Sequence, residues 1–384
     1  MPPADWHTDE YPELREGPPW VMQEMIVVQP RLVQEILGSA PAGTAEAAQT
    51  IAAALDRGRP VVVCGCGTSE HGALGVAALL AAAAGPERGA LVRARPAMMA
   101  ALDPAPGVCV AVSHDGGTHA TTLALTAARA AGADTITITH NPEGSVAHAA
   151  EQVLVTPLHD ESWCHTVAYT SALAAGAVLA GPLGPLPADP AAARELLESV
   201  TDPTQYTPMA ERLAGSRVVL CAGAQTDHVT ARELALKIAE GARLPTLSLE
   251  LEMVLHGQLA GQEPPDALVL LAITDHPERE RIARRAEHVA RAAAEIGLPV
   301  AALLSEAYHQ ALTTELTPAG RVVAPLNDPA QLHPRLSGLL AGAGALQTLT
   351  LELAHVRSLN PDLIRREEAP YRQAAAAAES VADW

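Results

Sequence analysis

"VVVCGCGTSEH" (residues 61–71) and "VVLCAGAQTDH" (residues 218–228) are two copies of one pattern, and they align without a gap. Each copy is a short run of β-branched residues, followed by a turn of small residues and then a long helical pattern. This sequence of features is typical of the strand and helix that open a parallel-sheet domain. Because such a unit occurs twice, the chain is predicted to contain two similar α/β domains.

Other apolar runs extend this prediction. Buried strands are expected at 107–113, 134–139 and 152–156 in the first half, and at 267–274, 298–304 and 321–324 in the second. Helical stretches separate these runs, which predicts two three-layer αβα domains, each with a parallel, flavodoxin-like sheet. The expected divisions are a helical N-terminal segment (1–56), a first domain (57–182), a Pro/Gly-rich linker (183–202), a second domain (203–340) and a helical tail (341–384).

The composition narrows the class of protein. The chain has 384 residues and a net charge of −19, which argues against binding to nucleic acid or to an anionic membrane, since both need a basic surface. Its apolar stretches are short and follow strand and loop signals, so none is expected to span a membrane. The five cysteines are an odd number, as expected for reduced thiols in a cytoplasmic protein. The pair Cys64 and Cys66 lacks the spacing of a zinc site, and neither a metal nor another cofactor is expected.

Two loops have the composition of an anion site. Residues 65–69 (GCGTS) and 113–118 (SHDGGT) each follow a predicted strand and precede a helix. Ligands of open α/β sheets bind at the carboxyl ends of the strands, where free amides at a helix start favour an anion. In the ungapped alignment, Gly67 and Thr68 become Ala224 and Gln225 in the second copy. The first domain is therefore expected to bind the ligand, and the second to supply other groups.

Lys237 is the only lysine in the chain, beside 24 arginines. Glu233, Lys237 and Glu240 are spaced to share one face of a helix. One alternative is that they form an exposed salt-bridge ladder, in which arginine would serve as well as lysine. The other is that the Lys237 amine is partly desolvated and held in position for a function. His256 follows, and a carboxylate base with a nearby histidine suits proton transfer in a sugar.

Six segments, in this order, resemble the double SIS (sugar isomerase) family, which includes the isomerase half of glucosamine-6-phosphate synthase and related deglycases and deaminases. They are WVMQEMIVVQP (20–30), CGTS (66–69), SHDGGT (113–118), HTVAYTSAL (165–173), ELALKIAE (233–240) and VLHGQL (254–259). The resemblance spans most of the chain.

The resemblance implies roles for individual residues. Glu240 stands where the family moves a proton between C1 and C2, His256 where a histidine from the neighbouring subunit opens the sugar ring, and Lys237 where a lysine lies near the reacting carbons. A homodimer with shared active sites and a sugar or sugar-phosphate ligand is implied as well. The positions implied for substrate binding are Gly67, Thr68, Ser69, Ser113, His114, Asp115, Thr118 and Thr166.

The chain departs from the family pattern at several points. It begins MPPAD, without the catalytic cysteine of a glutaminase, and its tail has no lysine for a Schiff base. Val167 replaces the lysine of the "STK" segment. Asp115 replaces a phosphate-binding serine, and a carboxylate beside a phosphate dianion is unfavourable. Protonated His114 and His119 would offset this charge.

Three hypotheses remain. The first is an isomerase, deaminase or deglycase that acts on an amino- or N-substituted, phosphorylated sugar through an enediol or enamine. The second is a non-catalytic sensor of sugar phosphates. The third is a metal site formed by His114, Asp115, His119 and His165, four residues with ligand side chains.

Overall fold

Two five-stranded parallel sheets, one in each half of the chain, form the framework of the protein. The computed structural model describes residues 6–8 and 11–379. The strands of the first sheet are β1 (Val61–Gly65), β2 (Val92–Pro96), β3 (Val108–Val112), β4 (Asp134–Thr139) and β5 (Gln152–Val155). Those of the second are β6 (Val219–Gly223), β7 (Thr246–Glu250), β8 (Ala267–Ala272), β9 (Val300–Ser305) and β10 (Gly320–Ala324).

The two sheets have the same topology. The strand order is β2-β1-β3-β4-β5 in the first and, read from the opposite edge, β7-β6-β8-β9-β10 in the second. Every pairing is parallel. This is the flavodoxin-like order of a doubly wound sheet, in which ligands bind at the carboxyl ends of the strands. The prediction of two similar α/β domains is confirmed.

Strands β2 and β7 are the two that the sequence did not reveal. Each is the edge strand beside the first strand of its sheet. Their sequences, VRARP and TLSLE, are only partly buried. Apolar residues alternate with polar or charged ones in both sequences, so these strands lack the continuous apolar run by which most of the other strands were predicted.

In the part of the chain that the structure describes, thirteen α-helices surround the sheets. In the first half they are α1 (Val21–Gly38), α2 (Thr44–Asp56), α3 (Thr68–Gly89, kinked at Gly85), α4 (Ala97–Leu102), α5 (His119–Ala130), α6 (Ser145–Ala149) and α7 (Val167–Ala180). The remaining ones are α8 (Pro190–Val200), α9 (Thr207–Leu213), α10 (Thr226–Lys237), α11 (Arg279–Ile296), α12 (Pro334–Val356) and α13 (Ala369–Glu379).

One apolar core runs between the two sheets and joins the domains. It includes side chains of α1, α3, α7, α8, α10 and α12, while α5 and α11 cover the outer faces of the first and second sheets. Helix α12 is the one described helix long and apolar enough to cross a membrane, but 89% of its apolar window is buried inside the protein. It is thus a core helix. A domain boundary at residue 340 would divide it, and α8 occupies most of the predicted linker.

Helices α1 and α12 meet across this core. The Nε2 of Gln29, in α1, donates a 2.6 Å hydrogen bond to Oε1 of Gln347, in α12. The carboxylate of Asp362 accepts hydrogen bonds from the backbone N–H groups of Val21 and Met22, where α1 begins. Because an acidic group stabilises the positive end of a helix, the segment after α12 secures the start of α1. The opening MPPAD lies outside the described residues.

Candidate functional site

The loop after β1 turns sharply into helix α3. Gly67 precedes the helix with a φ of +56°, in the left-handed region that glycine adopts most readily. Gln225 holds the equivalent place before α10, with a φ of +55°. The repeat is therefore real, but the ungapped alignment is displaced by one residue. Gly67 corresponds to Gln225, rather than to Ala224, and Thr68 corresponds to Thr226.

The displacement changes the interpretation of the second loop. Its distinctive residue is Asp227, which corresponds to Ser69. The buried carboxylate of Asp227 accepts hydrogen bonds from the backbone N–H groups of Ile273 and Thr274 and from the Thr274 hydroxyl. Burial raises the pKa of Asp227 to about 6, although these donors oppose the shift. This side chain thus joins the start of α10 to the loop after β8 and places a carboxylate where the first domain has the Ser69 hydroxyl.

Glu233, Lys237 and Glu240 form a buried chain of charges. The Lys237 Nζ lies 3.8 Å from Oε1 of Glu233 and 2.5 Å from Oε2 of Glu240. On the far side, His71 Nδ1 is 2.6 Å from Oε2 of Glu233, and the Thr68 hydroxyl donates to Oε1. Glu233 and Lys237 are completely buried, which excludes the exposed ladder. The hydroxyl of Thr68 is committed to Glu233 from the neighbouring domain.

Lys237 is held as a cation. Burial by itself would lower the pKa of Lys237, but the carboxylates of Glu240 and Glu233 outweigh that effect and raise the pKa above its ordinary value. Lys237 lowers the pKa of Glu233 in turn, against the effect of burial. A protonated amine has no free lone pair, so the geometry suits a hydrogen-bonding cation better than a nucleophile.

Glu240 is the member of the chain that reaches solvent. It lies in a π-helical turn (Ile238–Ala242) that continues α10, and such turns occur often at functional sites. Its side chain is 23% exposed. It lines a cleft of about 640 Å³, whose other wall includes Ile364 and Tyr371 of the C-terminal segment. A carboxylate that is paired with a buried lysine and also faces an open cleft can exchange a proton with a molecule bound in that cleft.

The loop after β3 borders a second cleft, which shares no lining residue with the cleft at Glu240. Ser113 and His114 are buried, whereas Asp115 and Thr118 are exposed. His114 Nε2 accepts a 2.8 Å hydrogen bond from the backbone N–H of Asp160. Burial lowers the pKa of His114 to about 3. The expectation that a protonated His114 offsets the charge of Asp115 is therefore wrong, because this ring stays neutral.

Other histidines contact Asp115 instead. The Nε2 of His159 lies 3.5 Å from Oδ1 of Asp115, and the Nε2 of His165 lies 3.8 Å from Oδ2. The ring centroids of His140 and His159 are 5.3 Å apart, and the ring of His114 stacks on both. His114, Asp115 and His159 present potential ligand atoms within 4.8 Å of one another. Asp115, His140, His159 and His165 border a cleft of about 790 Å³.

Thr166 and Asp160 connect this cluster to helix α7. Thr166 is buried, and its backbone N–H donates a 2.6 Å hydrogen bond to the carboxylate of Asp160. Asp160 also accepts from the backbone N–H of Ala168. The pKa of Asp160 is raised by its complete burial, against the opposing charges of His165 and Lys237. Within the described residues, the Thr166 hydroxyl is buried and has no hydrogen-bond partner, so the structure does not expose it to a ligand.

His256 lies apart from these groups. It follows a short 3₁₀ helix (Leu251–Leu255), and its side chain is 63% exposed. Its Nε2 is 2.9 Å from Oε1 of Glu252. A single chain therefore presents His256 on its surface, paired with a neighbouring carboxylate, whereas Glu240 is paired with Lys237.

The sequence interpretation missed several residues of the site. His71 and Asp160 were not singled out, nor were His140 and His159. A signal was present for the last two: His140 directly follows β4, and His159 lies four residues after β5. Both positions lie at the carboxyl edge of the sheet, where functional side chains are expected.

Known proteins share this architecture. Residues 54–180 match the model of the SIS domain. The chain superimposes on the C-terminal domain of glucosamine-fructose-6-phosphate aminotransferase from Francisella tularensis with a TM-score of 0.75 at 16% identity, covering 90% of this chain and 98% of that one. It also superimposes on tagatose-6-phosphate ketose/aldose isomerase from Escherichia coli (TM-score 0.73, 16% identity, 93% and 98% covered). A third similar structure is glucosamine-6-phosphate deaminase from Thermotoga maritima (TM-score 0.57, 16% identity, 89% and 96% covered). No curated protein matches the chain in sequence.

Proposed function

Residues 54–180 form a SIS domain, and from this premise we propose that the chain is an enzyme of the phosphosugar isomerase class. Its substrate is an amino- or N-substituted sugar phosphate, and its chemical step moves a proton between C1 and C2. The observation that carries the proposal is the buried ion chain of Glu233, Lys237 and Glu240, which ends in a solvent-accessible carboxylate.

Glu240 is the proposed base. In an open-chain aldose, its carboxylate takes the proton from C2 while the C1 carbonyl oxygen takes up a proton from water, which gives an enediol. Return of the first proton to C1, with loss of the C2 hydroxyl proton to water, gives the ketose. Lys237 supports this cycle because a cation near the substrate oxygens stabilises negative charge that develops on them.

A nitrogen substituent extends the same step to deamination or deglycation. If C2 carries an amine, transfer of the proton from C2 to C1 gives an imine at C2, and water then hydrolyses it to the ketose and ammonia. If C1 of a ketose carries a substituted amine, transfer in the reverse direction gives an imine at C1, which water hydrolyses to the aldose and the free amine. Neither route requires an imine with the protein.

The likeness to solved structures supports the substrate class. Two of the similar structures are, by name, an aminotransferase that acts on fructose 6-phosphate and a deaminase of glucosamine 6-phosphate. In this chain, Ser69 and Thr118 adjoin the starts of α3 and α5, where backbone N–H groups favour an anion. In the second domain, Asp227 stands in place of Ser69, and its carboxylate already engages two backbone N–H groups of the loop after β8, so we assign the sugar phosphate to the first domain.

We further propose that the active form is a homodimer. The support is that His256, the histidine proposed to open the sugar ring, is exposed and separate from the ion chain in one protomer. A symmetric pair would allow His256 of each chain to complete the site of the other, since a twofold interface buries the same surface of both chains.

The direct test is hydrogen exchange at the reacting carbon. The protein is incubated in D₂O with fructose 6-phosphate, glucosamine 6-phosphate or a fructosamine 6-phosphate, and deuterium incorporation at C1 or C2 is followed by NMR, with ammonia release measured in parallel. Glu240→Gln should slow exchange by about 100-fold to 10,000-fold, the usual contribution of a general base, and should leave binding largely intact. Glu295→Gln, an exposed change on α11, is the matched control.

Full exchange by Glu240→Gln would overturn the role of Glu240. Tight binding of a sugar phosphate by the wild-type protein, without exchange for any of the three compounds, would instead favour the non-catalytic sensor. In a sensor, Glu240 would hold a sugar hydroxyl through a hydrogen bond and no proton would leave carbon.

A further inference from the structure

The cluster around Asp115 calls for a separate explanation, because none of its histidines takes part in the proposed proton transfer. Four imidazole rings lie close together at the carboxyl edge of the first sheet, with neighbouring ring centroids 5.3–6.0 Å apart. They belong to His114, His140, His159 and His165. They come from the loops after β3, β4 and β5. A cleft of about 790 Å³ opens onto three of them, so the group is accessible from solvent.

The distances at Asp115 are unlike those of hydrogen bonds. His159 and His165 approach its two oxygens at 3.5 and 3.8 Å, whereas a charged N–H···O hydrogen bond is about 2.7–2.9 Å. Two ligands of one tetrahedral ion, each about 2.0–2.1 Å from the metal, lie about 3.4 Å apart. The distance from the Nε2 of each histidine to Asp115 is therefore close to the distance between two ligand atoms of one metal ion.

We propose that Asp115, His159 and His165 bind a divalent first-row transition metal, with Zn²⁺ as the representative ion. Two imidazoles and one carboxylate are a frequent ligand set of metal sites that keep a position open for substrate or water. The three ligand atoms are not gathered in advance: the trio whose ligand atoms lie within 4.8 Å of one another is His114, Asp115 and His159. Binding of the ion therefore requires the rings of His159, whose side chain is 54% exposed, and His165 to turn toward a common oxygen of Asp115.

The other two histidines have supporting roles. His114 Nε2 accepts the backbone N–H of Asp160, so its lone pair is already used and His114 braces the neighbouring loop without ligating the ion. His140 Nδ1 lies 3.0 Å from the carbonyl oxygen of Thr156. A carbonyl only accepts hydrogen bonds, so Nδ1 carries the proton and Nε2 keeps its lone pair. This arrangement is common in histidines that bind metal ions, so His140 is a further residue whose Nε2 could coordinate the ion.

The metal would also explain why a negatively charged residue, Asp115, lies in a loop that is expected to bind a phosphate. One carboxylate and two neutral imidazoles give a complex with Zn²⁺ of net charge +1, whereas the loop without metal presents a negative charge to an arriving phosphate. Open coordination positions could then accept phosphate oxygens. The metal site itself does not depend on the proposed isomerase function, since binding is measured without any sugar.

The test uses the full chain without an affinity tag, treated with a chelator and then supplied with Zn²⁺ or Co²⁺. After gel filtration, about one ion per chain should remain bound, as measured by mass spectrometry of the metal, and Co²⁺ should give the visible absorption of a four- or five-coordinate nitrogen and oxygen site. Titration calorimetry gives the affinity. His288→Gln, an exposed histidine on α11, is the matched control and should bind like wild type.

Asp115→Ser and His165→Ser remove one ligand each and place a small polar residue in the loop. Loss of a supporting residue typically costs 10–100-fold in metal affinity, so loss of a ligand should cost more than about 100-fold. Circular dichroism and the melting temperature of the metal-free variants establish that they remain folded. If one variant does not fold, the other carries the comparison, with Asp115→Asn as a third.

Two results would overturn the proposal. One is wild-type affinity for Zn²⁺ no greater than that of folded Asp115→Ser. The other is an equal loss of affinity in His288→Gln, which would assign the ion to scattered surface histidines. Failure here leaves the isomerase proposal unaffected, because hydrogen exchange with Glu240→Gln tests that proposal independently.

Discussion

The Nζ of Lys237 lies 2.5 Å from Oε2 of Glu240, in an ion pair whose cation is sealed from solvent and whose carboxylate is 23% exposed. Glu233 approaches the same amine from the interior, at 3.8 Å. The two carboxylates thus share one cation, and the buried one keeps Lys237 charged when the exposed one gains or loses a proton.

Lys237→Met is expected to destabilise the fold strongly. Removing the cation leaves Glu233 buried without its counter-charge, and breaking a buried pair in this way costs about 3–5 kcal/mol. Glu233→Gln combined with Lys237→Met should recover part of that loss, because the uncompensated charge is removed as well. Urea unfolding at neutral pH measures both. A Lys237→Met protein as stable as Glu295→Gln would show that the ion chain contributes little.

No imine is expected at Lys237. Its amine stays protonated beside two carboxylates, and only a neutral amine attacks a carbonyl. Borohydride reduction in the presence of fructose 6-phosphate, followed by peptide mass spectrometry, should find Lys237 unmodified. The chain has no other lysine, so the only other amine is at the chain's amino terminus, and labelling there serves as the internal control. A reduced sugar adduct on Lys237 would contradict the assignment.

Asp227 should make stability depend on pH in an unusual direction. Its pKa is about 6 in the folded protein, against 3.8 as the ordinary value. A raised carboxyl pKa means that the folded state binds the proton more tightly than the unfolded state does. The contribution of Asp227 to the free energy of unfolding is therefore greatest below pH 4, and it is lost as the pH rises to about 6. The shift corresponds to about 3 kcal/mol.

Comparison with Asp227→Asn isolates this effect from other titrating groups. Between pH 4 and pH 7, the free energy of unfolding of the wild type should fall relative to that of the variant. A constant difference across this range would mean that the three hydrogen-bond donors fully compensate for burial of the carboxylate.

Mixed dimers test whether His256 acts across subunits. Glu240→Gln and His256→Asn should each be inactive, but co-refolded or co-expressed chains should regain about one quarter of wild-type activity, because half of the dimers are mixed and one of their two sites is intact. Activity that stays at the level of the single variants would place both residues in the same chain or show that no dimer forms.

The sequence allowed the inner strands to be predicted because they are buried on both faces. The run at 267–274 is apolar over most of its length, and the run at 134–139 alternates Thr with Ile; the structure contains β8 and β4 there. The edge strands β5 and β10 were predicted from short Val-rich runs, whereas β2 and β7 alternate apolar with polar or charged residues and escaped prediction. The repeat was detected, but its alignment was displaced by one residue, because the alternation of Cys and Gly at 64–67 leaves more than one plausible offset.

The site was less predictable than the fold. Spacing placed Glu233, Lys237 and Glu240 on one helix face, but spacing cannot distinguish an exposed face from one enclosed by a second domain. The contacts of Glu233 with Thr68 and His71 join residues more than 160 positions apart. The gathering of histidines around Asp115 depends on three different loops, and the order of the strands, rather than any local pattern, brings those loops together.

Helix α12 has a consequence for how this protein is made. It spans residues 334–356, after both sheets in the sequence, and it packs against α7, α8 and α10 in the centre of the shared core. During synthesis, the inner faces of these helices therefore stay uncovered until α12 has left the ribosome. The hydrogen bond between Gln29 and Gln347 forms only then. Nascent chains that stall before α12 would expose a large apolar surface, although both sheets are already translated.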